Sequence, residues 1–292
     1  MSVKERVKNR ISRLGKERTP KPIRLLRLFG GFLFLFLIFL LALTLGTTEK
    51  GLEGMTHSFV DSKEVDESYY EHYLEYGFTN ESCRELLEGA EIKHLTADVM
   101  VERLRAIFKN THSYKISLDE AKEQIRAELI RVKEAQGLEM DETSLETLVD
   151  YTADISGIST MFWYDTPAEY RTAVFDASKS DTELSNSLLS TLATLSSPLF
   201  MLLIFAMFIV ILALLWFFDK KEKRVSFLNM TLYPALAVLG FSIGEVFMPD
   251  ASAVTDYVFR LLALSSLIGI VFGVFMYIMI RLLEQRKSSD QE

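Results

Sequence analysis

Residues 198–218 read PLFMLLIFAMFIVILALLWFF, with no polar side chain before Trp216. A helix rises about 1.5 Å per residue, so about 20 apolar residues cross the hydrocarbon core of a bilayer. A helix on a soluble core keeps one polar face, and this stretch has none. The segment therefore sets the class as an all-α membrane protein, and the rest of the chain is read outward from it.

Three further segments have comparable length. Residues 28–46 read LFGGFLFLFLIFLLALTLG, and residues 258–280 are similarly apolar. Residues 226–248 are weaker, because they carry Asn229, Thr231, Pro234, Ser242 and Glu245. They are counted as a span because the neighbouring segments require an even number of crossings. The first span has a cleaved signal peptide as its alternative, with Thr44-Leu45-Gly46 as a loose cleavage site. Its apolar run is longer than the about 7–15 residues of a signal core, which favours an uncleaved anchor.

Charge supplies the orientation. The chain carries a formal −8, but residues 47–196 hold 30 acids and 14 bases while the remainder is basic. Ten Lys and Arg residues precede the first span, from Lys4 to Arg27. Lys220, Lys221, Lys223 and Arg224 follow the second, and Arg281, Arg286 and Lys287 follow the fourth. Residues 249–257 contain only the acids Asp250 and Asp256. Basic flanks stay cytoplasmic. The expected layout is a cytoplasmic tail 1–27, span 28–46, an acidic extracytoplasmic domain 47–196 and span 197–218. A cytoplasmic loop 219–225, span 226–248, outer loop 249–257, span 258–280 and a cytoplasmic tail 281–292 complete it. Val3, Val7, Ile11 and Leu14 fall at helical spacing in the basic tail. That tail is either an amphipathic helix on an anionic leaflet or a disordered topology signal. The single Cys83 excludes an intrachain disulfide and tilts the setting toward a bacterial plasma membrane.

The middle domain reads as a helical bundle. Ser117-Leu118-Asp119-Glu120 is a capping box, with Gly137 as the stop. Thr143–Glu146 and Ser180–Glu183 are two more, and Pro167 fits the first turn of another helix. The helix from about Asp181 is expected to run on into the second span, with Pro198 at the junction. Leu118, Ala121, Ile125, Leu129 and Val132 share one helical face, as do Met100, Leu104, Ile107 and Phe108. Leu145, Leu148 and Ile155 share another. Residues 47–60 are expected to be a linker.

Chemistry-bearing patterns are few. His57, His72, His94 and His112 lie in the acidic domain. Only His72 and Glu75 share an evident helix face, too few for a metal centre, so solvated surface is the expectation. There is no HExxH, GxSxG, Walker loop or CxxC. The stretch Glu139–Glu142 lacks the alternating ligands of a calcium loop. No metal or cofactor is expected, and a non-enzymatic role is favoured. The acidic balance argues against nucleic acid, whose phosphates need a basic face.

Aromatic and small residues mark the candidate surfaces. Phe162-Trp163-Tyr164 is a candidate partner surface, with core packing or contact with lipid headgroups as the alternative. Tyr69, Tyr73 and Tyr76 fall at i, i+4 and i+7, and ordinary packing is favoured for them. Gly240 and Gly244 form GxxxG in span three, and Ser265, Gly269 and Gly273 form a small-residue stripe in span four. A tight hairpin of these spans is expected, with self-association as the alternative. Glu245 and Arg260 are the two ionisable groups within the expected spans. They either snorkel separately or pair with each other.

The layout of one span, an outer domain and three further spans resembles the FtsX-like division proteins that couple to a cytoplasmic ATPase. The resemblance is architectural and carries no residue across. Function is expected to be that of a sensor, regulator or accessory subunit in contact with the bilayer and a protein partner or another copy. The alternative is a transporter or channel subunit with a path formed on oligomerisation.

Overall fold

A computed structural model describes residues 21–109, 111–175, 183–218, 223–246 and 253–289. The amphipathic pattern at Val3–Leu14, the cap at Ser180–Thr182 and residues 219–222 and 249–252 of the two short loops lie outside these residues, while residues 253–257 of the second loop are helical. Among the described residues every regular element is helical. In chain order they are α1 (Lys21–Gly46), α2 (Glu49–Asp61), a short 3₁₀ turn (Glu67–Tyr69), α3 (Tyr70–Leu74), α4 (Asn80–Leu87) and α5 (Ala90–Lys109). Next come α6 (Leu118–Ala135), α7 (Glu142–Ile155), α8 (Ile158–Met161), α9 (Pro167–Phe175) and α10 (Glu183–Leu195). The last are α11 (Pro198–Phe218), α12 (Lys223–Met230), α13 (Leu232–Val246) and α14 (Ala253–Ser289).

Four stretches are long and apolar enough to cross a membrane: Lys21–Gly46, Pro198–Phe218, Ser226–Gly244 and Thr255–Leu283. They sit where hydropathy put them, with altered ends. The first begins well before residue 28, because Lys21, Arg24 and Arg27 continue the helix. The third is broken at Thr231, between α12 and α13. Pro234 follows closely and has no N–H to give the ladder. Thr231 bridges the break, its hydroxyl donating to Phe227 O at 2.7 Å and its carbonyl accepting from Ala235 N at 3.1 Å.

The chain divides into two compact units, residues 1–39, 201–242 and 262–292, and residues 40–200 and 243–261. In the first unit, Phe34 stacks on Phe208 and Phe272 at centroid distances of 5.3 and 6.1 Å. Phe208, Leu215 and Met230 are fully buried in this unit. Gly30 lies where a side chain would overlap Met230, so the Gly30–Gly31 pair is a close-approach site absent from the expectations above.

The second unit has its core at Tyr73, Cys83, Leu86, Ile125, Leu129, Leu148 and Ile158. The α6 stripe is as expected, with Ala121, Ile125, Leu129 and Val132 buried. Ser117 and Glu120 form the full capping box, and Gly137 ends the helix at φ +65°. For α7 the cap moves: Asp141, not Thr143, takes the Ser144 N–H, at 2.7 Å. An aspartate two residues earlier offers a charged acceptor to the helix N-terminus. Helix α10 does not run into α11. It ends at Leu195, and Ser197 accepts from Phe200 N at 3.3 Å to start the next helix.

The largest departure is at 49–61. This stretch is helix α2, not a linker. Thr48 caps it by accepting from Gly51 N at 3.1 Å. A side chain at Gly51 would overlap the carbonyl oxygens of Leu45 and Gly46, so the turn out of α1 needs glycine there.

Candidate functional site

Helix α2 packs antiparallel along α5, and three polar ties fix the register. At its start, Glu49 faces Arg105 at 3.5 Å and Lys115 at 3.0 Å. In the middle, His57 Nε2 lies 3.3 Å from Asp98 Oδ1, and its ring meets His94 edge-on at 5.2 Å. At its end, Lys93 Nζ donates to the carbonyls of Asp61 and Lys63 at 3.3 and 3.2 Å. Between them Leu52, Thr56 and Val60, one turn apart, are buried. Full burial of a Leu or Val side chain contributes about 1.5–3 kcal/mol. The exposed ion pairs contribute much less, so the apolar stripe holds α2 down and the polar ties set its position. The Lys115 hydrogen bond and the charges of Lys115 and Arg105 hold the Glu49 carboxyl below its ordinary range.

The same helix has a second partner. A β-carbon on Gly54 would lie 2.7 Å from the Tyr257 ring, and one on Gly46 would lie 3.1 Å from Leu261 Cδ1. The first turns of α14 therefore rest on glycines at the end of α1 and the middle of α2. So α2 touches α5 on one side and α14 on another while following directly from α1.

Helix α5 is buried on several faces, including two charged residues, Glu102 and Arg103. Glu102 accepts from Arg105 Nη1 at 2.7 Å and from Lys115 N at 3.0 Å. Arg103 is 2% exposed and lies in an aromatic cage. Its guanidinium carbon sits 3.8 Å from the Tyr114 ring centre, 4.4 Å from Phe162 and 5.7 Å from Tyr170. One nitrogen donates to Tyr164 O at 3.3 Å. Nε and Nη2 make no hydrogen bond of regular geometry among the described residues, and the Tyr114 hydroxyl lies close enough to Arg103 to interact with it. Burial lowers the affinity of Arg103 for its proton and pushes the Tyr114 and Tyr170 phenols up.

This cage splits the expected aromatic surface. The Phe162 ring lies against Arg103, Tyr164 gives it only its backbone carbonyl and sets its ring 5.7 Å from Tyr170, and Trp163 is 77% exposed. Tyr73 is fully buried and bonds Thr152 Oγ1 at 2.8 Å, while Tyr69 stays exposed. His72 lies 3.6 Å from Glu75 and against the rings of Tyr76 and Tyr151. No group of three His, Cys, Asp or Glu residues is arranged to hold a metal among the described residues.

The small residues of the spans separate too. Gly269 packs against Ile38 and Phe34, and Gly273 against Thr231 and Leu232. Among the described residues nothing lies within 4 Å of a β-carbon at Gly240 or Gly244. The hairpin contact expected between the two stripes is thus replaced by contacts of the α14 stripe with α1 and the α12–α13 break. Ser265 and Ser242 are buried, and their hydroxyls have no hydrogen-bond partner among the described residues. Arg260 pairs with Asp256, one turn back on its own helix, at 2.6 Å. The Glu245 side chain lies outside the described residues.

Helices of this length and hydropathy define an all-helical chain with four candidate membrane spans. Comparison with protein-family models, with curated proteins and with solved structures gave no match to it.

Proposed function

We propose that the chain is a multi-pass protein of a bacterial plasma membrane, with both termini cytoplasmic and residues 47–196 outside. In this reading it acts without catalysis, as a sensor, regulator or accessory subunit whose outer domain receives a signal or partner. The observation that carries the reading is the position of α2. It leaves α1 through a two-residue turn, lies along α5, and meets Tyr257 of α14 at Gly54. A shift of α5 reaches α1 and α14 through this one helix, and both continue as apolar helices long enough to span.

Two experiments test it. In intact cells an impermeant maleimide is expected to label Glu81→Cys and leave Lys21→Cys unlabelled, and the reverse pattern would overturn the orientation. Cys83 stays silent in this assay, because burial raises its thiol to about 11 and encloses it. Pure protein in liposomes is expected to move no solute. Flux would favour the alternative of a transporter or channel subunit with a path formed on oligomerisation. That alternative draws on the Ser242 and Ser265 hydroxyls, unpartnered among the described residues, and on the open faces at Gly240 and Gly244.

A further inference from the structure

A groove of about 350 Å³ lies where the end of α2 and the following turn meet α5 and the end of α7. Its walls are mixed: Val65, Ile92, Met100 and Ile155 are apolar, and Lys63, Glu64, Asp66, Lys93 and Thr96 are polar. Small-molecule sites start at about this size. A water occupies about 30 Å³ of liquid, so the groove has room for about a dozen non-hydrogen atoms. That is too little for a folded partner and enough for a short hydrocarbon chain with a head group.

The rim supplies the head-group chemistry. Lys63 and Lys93 both line the groove. Lys63 Nζ sits 4.5 Å over the Phe59 ring, and Lys93 Nζ bonds two backbone carbonyls. Neither ammonium has a carboxylate partner among the described residues. Elsewhere in this acidic unit Arg84, Arg105, Lys115, Lys122, Arg126 and Arg131 all have one. Lys50, Arg103, Lys109 and Lys133 also lack one among the described residues, so what sets Lys63 and Lys93 apart is that both line one groove. Glu64 and Asp66 also edge the groove, but Asp66 is committed to the Ser68 N–H at 2.9 Å.

We propose that this groove binds a single-chain anionic amphiphile. The tail lies against Val65, Ile92, Met100 and Ile155, and the carboxylate is held by Lys63 and Lys93. The site deepens the reading of the unit as a receiving domain and rests on that reading only for what binding does. An occupant would press on the end of α2, the helix that meets Tyr257. A free acyl carboxylate is the committed source, because about 350 Å³ matches one short chain.

The test uses the full chain in lipid nanodiscs and a decanoic acid carrying a photoreactive diazirine on its tail. Crosslinked peptides are mapped by mass spectrometry. Labelling of residues 59–69 and 92–100 is expected, competed by decanoate and not by decyltrimethylammonium. Lys63→Gln should weaken the competition about tenfold, the loss of one charge-assisted contact. Val65→Trp fills the groove and should abolish labelling, and because Val65 also packs against the core, a melting curve checks that the variant still folds. Labelling confined to the apolar helices, or undiminished in both variants, overturns the site. That failure leaves the receiving-domain reading to its own tests. Groove labelling in a protein that also passes solute would keep the site and overturn the reading.

Discussion

Gly54 on α2 lies so close to Tyr257 on α14 that a β-carbon there would come within 2.7 Å of the ring. The contact exists because position 54 has no side chain. Gly54→Leu is therefore expected to force the two helices apart, at an overpacking cost of about 1–3 kcal/mol. Tyr257→Ala should restore most of the lost stability in the double variant, because it removes the group that clashes. A double-mutant cycle on thermal unfolding in detergent measures this. Additive losses would mean that the two residues do not meet.

Arg103 is buried with two nitrogens making no hydrogen bond of regular geometry among the described residues, and is held mainly by ring faces. A planar guanidinium stacks on such faces, and a lysine ammonium does not. Arg103→Lys keeps the buried charge and loses the stacking, so it is expected to destabilise by about 1–2 kcal/mol. Arg103→Met removes the charge and its desolvation penalty together and should cost less. Urea unfolding monitored by circular dichroism ranks the two, and the opposite order would show that the charge itself holds the cage.

Acid should loosen this unit through its helix caps. Asp141, Asp66 and Glu120 are held below their ordinary values of 3.8, 3.8 and 4.5, chiefly by the backbone N–H groups of Ser144, Ser68 and Ser117. A carboxyl depressed by folding contributes its stability above the unfolded value and loses it as pH falls through the folded one. Melting temperature is thus expected to be flat with respect to these groups at neutral pH and to fall below about pH 4.5. Asp141→Asn retains a cap acceptor and should flatten part of that fall, which a pH series of melting curves would detect.

The glycines of the spans are expected to differ in tolerance. Gly273→Val would press on Thr231, where a β-carbon already lies 3.0 Å from the hydroxyl, so a loss of stability is expected. Gly240→Ala and Gly244→Ala meet nothing within 4 Å among the described residues and should leave the monomer's melting temperature unchanged. If these two also shift the oligomer distribution in native mass spectrometry, the open GxxxG face is a self-association surface.

Some of this protein could be read without a structure because it depends on near neighbours along the chain. The four apolar helices follow from hydropathy over about 20 residues. The Ser117–Glu120 box and the stop at Gly137 follow from hydrogen bonds that span three or four residues. The stripe Ala121, Ile125, Leu129 and Val132 follows from helical periodicity alone. Tertiary structure decided the rest. Gly51 and Gly54 each lower helix propensity by about 1 kcal/mol, so residues 49–61 looked like a linker. Burial of Leu52 and Val60 on α5 offsets that penalty, and the turn at Leu45 and the ring of Tyr257 require the glycines. Glu102 and Arg103 follow no local rule for burial, because their partners Lys115, Tyr114 and Phe162 come from other segments. Phe162 and Trp163 are adjacent and equally apolar in sequence, yet one faces Arg103 and the other solvent. The Gly240 and Gly269 motifs looked equivalent, and only the position of α1 made one a contact and left the other open. Local patterns report what a segment wants to bury, but the identity of its cover is a property of the assembled helices.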